Sequence, residues 1–119
     1  MLASRYRFHG HGSLRFVYAK GQVSRSKFFI CKTTNNARRS EPRIAVVVSK
    51  KVMKSAVGRN RIRRRLYEAI RAEIPRLNVR SDIVFIVISP ELMTASSSEI
   101  TAAVTSCFKR AGLYKSSEI

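Results

Sequence analysis

The stretch Lys50-Lys51-Val52-Met53-Lys54-Ser55-Ala56-Val57-Gly58-Arg59-Asn60-Arg61-Ile62-Arg63-Arg64-Arg65-Leu66 carries eight basic residues and no acidic one. Ser55 is a suitable N-cap, and a helix is expected from Ala56 to about Glu73, stopped by Pro75. On that helix Ile62, Leu66, Ala69 and Ile70 gather on one side and can dock on a core. Asn60, Arg64, Tyr67 and Arg71 recur on the opposite side, flanked by Arg61, Arg65 and Glu68 at the same spacing. Successive guanidiniums on such a face stand about 6 Å apart. Like charges this close destabilise an isolated helix, and a phosphate backbone would compensate them. Gly58 in the first turn weakens the helix by about 1 kcal/mol relative to Ala.

A merely solvated face usually mixes signs and draws on Lys and Glu. Here five of the seven residues from Arg59 to Arg65 are Arg. Arg grips phosphate oxygens with two parallel N–H donors and stacks on bases. Asn60 among them can hydrogen-bond a sugar hydroxyl or a base edge, or cap its own helix. No heptad repeat follows, so a leucine-zipper basic region does not fit.

The composition agrees with this reading. The chain has 119 residues, 24 Lys plus Arg against 7 Asp plus Glu, and a net charge of +17. Hydrophobic residues make up 45%, which suits one globular domain and not a disordered chain. A polyanion is the expected partner, with an anionic membrane surface second. No apolar run approaches the roughly 18 residues needed to cross a bilayer, and the N-terminus lacks a hydrophobic signal core. A cytoplasmic location without membrane contact is therefore expected. Cys31 and Cys107 lie far apart among apolar neighbours and read as two buried thiols, with no CxxC spacing for zinc.

Outward from the basic stretch, residues 1–12 read as a flexible basic arm. His9 and His11 in it are loop residues with no further metal-ligating neighbour. Ser13 can cap a short helix through about Lys20, closed by Gly21. Leu14, Val17 and Tyr18 form its core stripe, leaving Phe16 pointing elsewhere. Val23–Thr34 is expected to be a strand, and residues 33–42 a polar hairpin loop. Arg43–Val48 is apolar on both faces and reads as a central strand. Asp82–Ile88 is a second such strand, ended by Ser89-Pro90. Ser96 and Glu99 have capping-box spacing for a last helix. Its core stripe is Ile100, Ala103, Val104, Cys107, Phe108 and Ala111, and Gly112 closes it. The order is α-β-β-α-β-α, a single α+β layer domain.

Lys50-Lys51, Ala56 and Arg59-Asn60-Arg61-Ile62-Arg63-Arg64 together resemble the arginine-rich signature of the bacterial ribonuclease P protein family. Lys20-Gly21 after an aromatic-bearing helix, Val46-Val47-Val48-Ser49-Lys50-Lys51, Asp82-Ile83-Val84 and the helix before Leu113-Tyr114 extend the resemblance over most of the chain. It implies a four-stranded mixed sheet flanked by helices, with a split, left-handed βαβ crossover carrying the basic helix. It also implies pairing with a large catalytic RNA, the holoenzyme cleaving the 5′ leader from precursor tRNA. Catalysis and the Mg²⁺ ions would belong to the RNA, with no catalytic residue in this chain. The RNA contacts implied are Lys50, Lys51, Lys54, Arg59, Asn60, Arg61, Arg63, Arg64, Arg65 and Arg71. The family's cleft between first helix and sheet receives single-stranded leader. Arg15, Phe16, Tyr18, Lys27, Phe29 and Lys32 are the candidates for it here, with Tyr18 and Phe29 equally readable as core and Phe16, off the core stripe, favouring contact. Leu14 stands where the family often places an aromatic. The seven acidic residues show no pairing suited to metal-assisted phosphodiester hydrolysis. A ribosomal or other structural RNA-binding protein is the alternative. A membrane-surface protein is disfavoured, because the amphipathic helix lacks exposed Trp or Phe.

Overall fold

The computed structural model describes residues 6–8, 12–36, 41–78 and 81–115. The expectations for His9, His11 and most of the N-terminal arm lie outside these residues. Three helices, α1 (Gly12–Lys20), α2 (Ala56–Glu73) and α3 (Ser97–Arg110), flank four strands. The strands are β1 (Gln22–Arg25), β2 (Phe29–Asn35), β3 (Arg43–Val47) and β4 (Ser81–Val87), in sheet order β1-β2-β4-β3. The β1–β2 and β2–β4 pairs are antiparallel, and β3–β4 is parallel.

Two readings of the strands change. The single strand expected over Val23–Thr34 is a hairpin, so three strands precede α2 rather than two. Ser26 makes the turn: its hydroxyl accepts from the Phe28 and Phe29 N–H groups at 3.1 and 3.2 Å. β3 is an edge strand, not a central one. Its two apolar faces reflect helices on both sides of the sheet, not two strand neighbours. Tyr67 and Val46 are buried together in the main core. The parallel strands joined through α2 are direct neighbours, so no other strand splits the crossover.

The sheet divides its side chains between two layers. Phe29, Cys31, Ile44, Val46, Ile83, Phe85 and Val87 face the main core under α2 and α3. There Phe29, Phe85, Phe108 and Tyr114 meet edge to face in succession, with centroids 5.0, 5.7 and 6.0 Å apart. The expected caps form: Ser55 accepts from Gly58 N–H at 3.1 Å, and Ser96 and Glu99 make a capping box. Gly112 closes α3 with φ of +68°. α1 begins at Gly12, which puts Ser13 inside its first turn rather than ahead of it.

The other face carries three cross-strand rows, read from the register: Arg25–Ile30–Ile86–Val47, Val23–Lys32–Val84–Ala45 and Thr34–Asp82–Arg43. α1 lies across the middle row, where Val17 and Val84 are fully buried. Leu14 shares a cavity with Ala45 at one end, and Lys32 reaches the Tyr18 carbonyl at the other. The third row holds a buried ion pair. Arg43 donates twice to Asp82, at 2.9 and 2.7 Å, and Asn36 adds a bond of 3.1 Å. Phe8 stacks on the guanidinium 4.7 Å away. The first row stays half open.

A candidate nucleic-acid interface

Ser49 turns the chain into α2. Its carbonyl accepts from Val52 and Met53 N–H, which places Lys50 and Lys51 at an exposed tip. Met53 then folds back over Gly58, where a Cβ would stand 2.7 Å from its side chain. A side chain at position 58 would therefore have to push the flexible Met53 side chain aside.

The arginines of α2 fall into two groups. Arg59 donates to the Met53 and Lys54 carbonyls at 3.1 and 2.7 Å and straps the entry loop to the helix. Arg65 donates to Leu92 and Ala95 carbonyls at 2.6 and 2.5 Å and holds the turn before α3. These two were expected to face RNA, but their guanidiniums are committed to the fold. Arg63 donates to Asn60 Oδ1 at 2.6 Å, and Arg71 pairs with Glu68 at 2.6 Å on the exposed side. Arg61 and Arg64, with Lys50, Lys51 and Lys54, are exposed, and no bond or ion pair to another described residue occupies their side chains.

Tyr67 departs from the expected outer face. It is buried against β3, and burial raises its phenol above the ordinary range. The helical wheel puts it at the margin of the apolar arc, and Arg7 and Phe8 line a cavity beside it.

Carboxylates do little to neutralise this face. Asp82 is held by Arg43, Glu73 by Arg76 and Tyr114, and Glu99 by its cap and Lys27. Only Glu68 sits on the outer side of α2. The N-terminal end of the helix adds its own positive pole beside Lys54 and Arg61.

The second surface is the open row Arg25–Ile30–Ile86–Val47. A helix is about 10 Å wide, while successive same-face rows of a sheet are about 7 Å apart, so α1 cannot cover all three rows. Ile30, Val47 and Ile86 remain partly exposed beyond it, and Ile88 is 46% exposed. Phe16 on α1 is 57% exposed and Arg15 is exposed without a described partner. Tyr18 is half-buried, its phenol raised by burial, with the Lys32 ammonium over its ring. That ammonium also caps the C-terminal end of α1 through the Tyr18 carbonyl, 2.9 Å away.

Two of the expected cleft residues lie elsewhere. Phe29 is wholly buried on the core face against Phe85. Register explains this: Phe29 shares a face with Cys31 and Thr33, and Ile30 takes the cleft side. Lys27 sits at the hairpin tip, 3.6 Å from Glu99 on α3, on the core side of the sheet. Ile30, Val47 and Ile86 were not singled out from sequence. Once the hairpin register is known, alternation along β2 and β4 identifies them.

A basic helix face and a half-open sheet row on one α+β domain define a protein of the RNA-binding class. The family model described as Ribonuclease P matches residues 2–112. The ribonuclease P protein component of Chloroflexus aurantiacus is 36% identical over 108 residues, covering 91% of this chain and 78% of that one. That of a Synechococcus species is 29% identical, covering 95% and 97%. A solved Staphylococcus aureus RNase P protein, a mutant with defective mRNA degradation activity, matches with a TM-score of 0.80 and 25% identity over 92% and 90% of the two chains. The Thermotoga maritima RNase P protein shares the fold, at a TM-score of 0.76 and 20% identity over 87% and 96%. The chain belongs to the ribonuclease P protein family, and its role is that of a subunit of ribonuclease P in tRNA processing. Among the described residues, no helix is long and apolar enough to cross a membrane, and no three His, Cys, Asp or Glu side chains come together as a metal site.

Proposed function

We propose that the α2 face anchors this subunit on the catalytic RNA and that the half-open row beneath α1 receives the 5′ leader of precursor tRNA. The observation that carries the first half is the sorting of the arginines. Arg59 and Arg65 are consumed in positioning, while Arg61, Arg64, Lys50, Lys51 and Lys54 are left as unneutralised cations on one rigid surface. Each phosphate they engage releases counterions, so binding would be steeply salt-dependent. Asn60, held by Arg63, presents a remaining donor pair to a sugar or base edge.

For the leader, Phe16 offers a ring to an unpaired base, and the aliphatic row offers a sequence-tolerant floor. Arg15 and Arg25 supply charge along its course. The hydrolytic chemistry belongs to the RNA, and Mg²⁺ is held by RNA and substrate. The protein contributes positive charge and position, and so lowers the Mg²⁺ concentration the reaction needs.

Reconstitution tests this. The protein combined with a bacterial ribonuclease P RNA should cleave precursor tRNA at low Mg²⁺, where either alone is slow. Arg64→Ala should weaken RNA binding and lower the salt slope by about one unit, the loss of one phosphate contact. No stimulation of cleavage would sink the assignment, and an unchanged slope would remove Arg64 from the interface.

A further inference from the structure

A second cationic cavity lies at the other end of the helical layer. It has a volume of about 680 Å³, within the usual range of about 300–1,000 Å³ for ligand pockets, and is lined by Arg76, Ala102, Thr105, Ser106, Lys109 and Tyr114. One wall is the outer face of α3, where Ala102, Thr105, Ser106 and Lys109 recur at helical spacing. The other wall is Arg76, just past the C-terminal end of α2, and Tyr114, whose backbone bridges to Leu77.

We infer that this cavity is a second RNA-contact surface, which takes a phosphodiester segment against Lys109 and Arg76 with a nucleotide beside Tyr114. The inference builds on the RNA-binding reading of the chain and extends it to a new surface.

Four observations carry it. First, no carboxylate lines the cavity. The neighbouring Glu73 is engaged by Arg76 at 3.0 Å and by the Tyr114 hydroxyl at 2.8 Å, so Lys109 is the unneutralised cation of the cavity and Arg76, 66% exposed, offers only its remaining donors. Second, Lys109 is exposed and its ammonium has no partner among the described residues. The Arg76 guanidinium is fixed 4.7 Å from the Tyr114 ring centroid, so charge and aromatic surface are held together in advance. That is the combination a strand of RNA uses, phosphate on cation and base or ribose on ring. Third, small side chains at Ala102, Thr105 and Ser106 leave room for a bulky backbone, and the Ser106 hydroxyl is exposed for a phosphate oxygen. Fourth, the cavity is remote from both surfaces described above. Eighteen residues of helix separate it from the basic tip, about 27 Å at the usual rise, and twelve residues separate Arg76 from Arg64, about 18 Å. α3 also lies across the sheet from the open row. One phosphate contact cannot be shared across that distance, so a distinct stretch of RNA must reach it.

Whether that stretch belongs to the catalytic RNA or to the precursor is decided by the arms of the test. Binding of the full-length protein would be measured against salt with catalytic RNA, precursor tRNA and mature tRNA separately. Lys109→Ala should lower the salt slope by about one unit for the RNA that reaches the cavity. Ala102→Glu, at an exposed position, should weaken the same RNA at least as much, with an unchanged melting temperature. A charge-neutral arm uses Ser106→Cys carrying an aryl-azide photocrosslinker. Both natural cysteines are buried, and burial holds the Cys31 thiol far above its usual range, so the new thiol alone is open to labelling. A crosslink to the same RNA is expected, and the RNA it marks names the source. Arg64→Ala serves as the reference. If it lowers the slope while Lys109→Ala does not, or no RNA crosslinks from position 106, the cavity is not an RNA surface and the α2 reading stands. If neither substitution moves the slope, both readings fall.

Discussion

Asp82 shows what one buried residue can decide. Its carboxylate is 4% exposed and takes two charged donors from Arg43 and one from Asn36. The pair joins the first residue of β3 to the second of β4, its parallel neighbour, and so fixes their register. The value of such a pair lies less in its attraction than in the cost of leaving one member alone. Asp82→Ala strands the Arg43 guanidinium in a site with little water and should cost about 3–5 kcal/mol of stability. Denaturant unfolding checks this, and a loss below 1 kcal/mol would show that Arg43 simply swings to solvent. Phe16 is the opposite case, a large ring with over half its surface in water and no structural reason to be there. Phe16→Ala should leave stability intact and cost about 1–3 kcal/mol in binding leader-bearing precursor, with mature tRNA unaffected. Equal losses on both substrates would give Phe16 a role in folding instead.

At the scale of the element, α2 does two jobs with one residue type. Adjacent residues in a helix point about 100° apart, so Arg64 and Arg65 part company: one meets solvent, the other the carbonyls of Leu92 and Ala95. Arg65→Ala leaves those two carbonyls without their charged donor and should cost about 1–3 kcal/mol of stability. Its salt slope for RNA should match the unsubstituted protein, the reverse of the Arg64→Ala pattern. A slope lowered by Arg65→Ala at unchanged stability would mean that Arg65 leaves the turn to meet RNA. The helix itself was legible in the sequence because its signals are local: Ser55 as cap, the Ile62–Leu66–Ala69–Ile70 stripe, and Pro75 as stop. Which arginines are free was not, because Leu92 and Ala95 lie about thirty residues away and only the fold brings them close.

At the scale of the molecule, the same division separates what could be read from what could not. The α+β class, three helices and the two apolar strands follow from periodicity and caps. The hairpin at Ser26 did not, since the polar run Ser24-Arg25-Ser26-Lys27 serves equally as the exposed part of one loosely alternating strand or as a turn. That one miss left the face of Phe29 open between core and cleft, because a sheet exchanges faces at every residue and only the hairpin register decides it. The charge imbalance, in contrast, needs no fold to be read, and it makes a prediction about the whole. Twenty-four Lys and Arg against seven carboxylates must repel one another in the compact state. Raising salt from 0.01 to 0.15 M shortens the screening length from about 30 to 8 Å, so the free protein should melt at higher temperature as salt is added. RNA stabilises by mass action, about 2.7 kcal/mol when present at a hundred times its dissociation constant, and that gain shrinks as salt weakens binding. The two melting curves, free and RNA-bound, should therefore converge with salt from opposite directions. Parallel curves would mean that the RNA is held by something other than these cations.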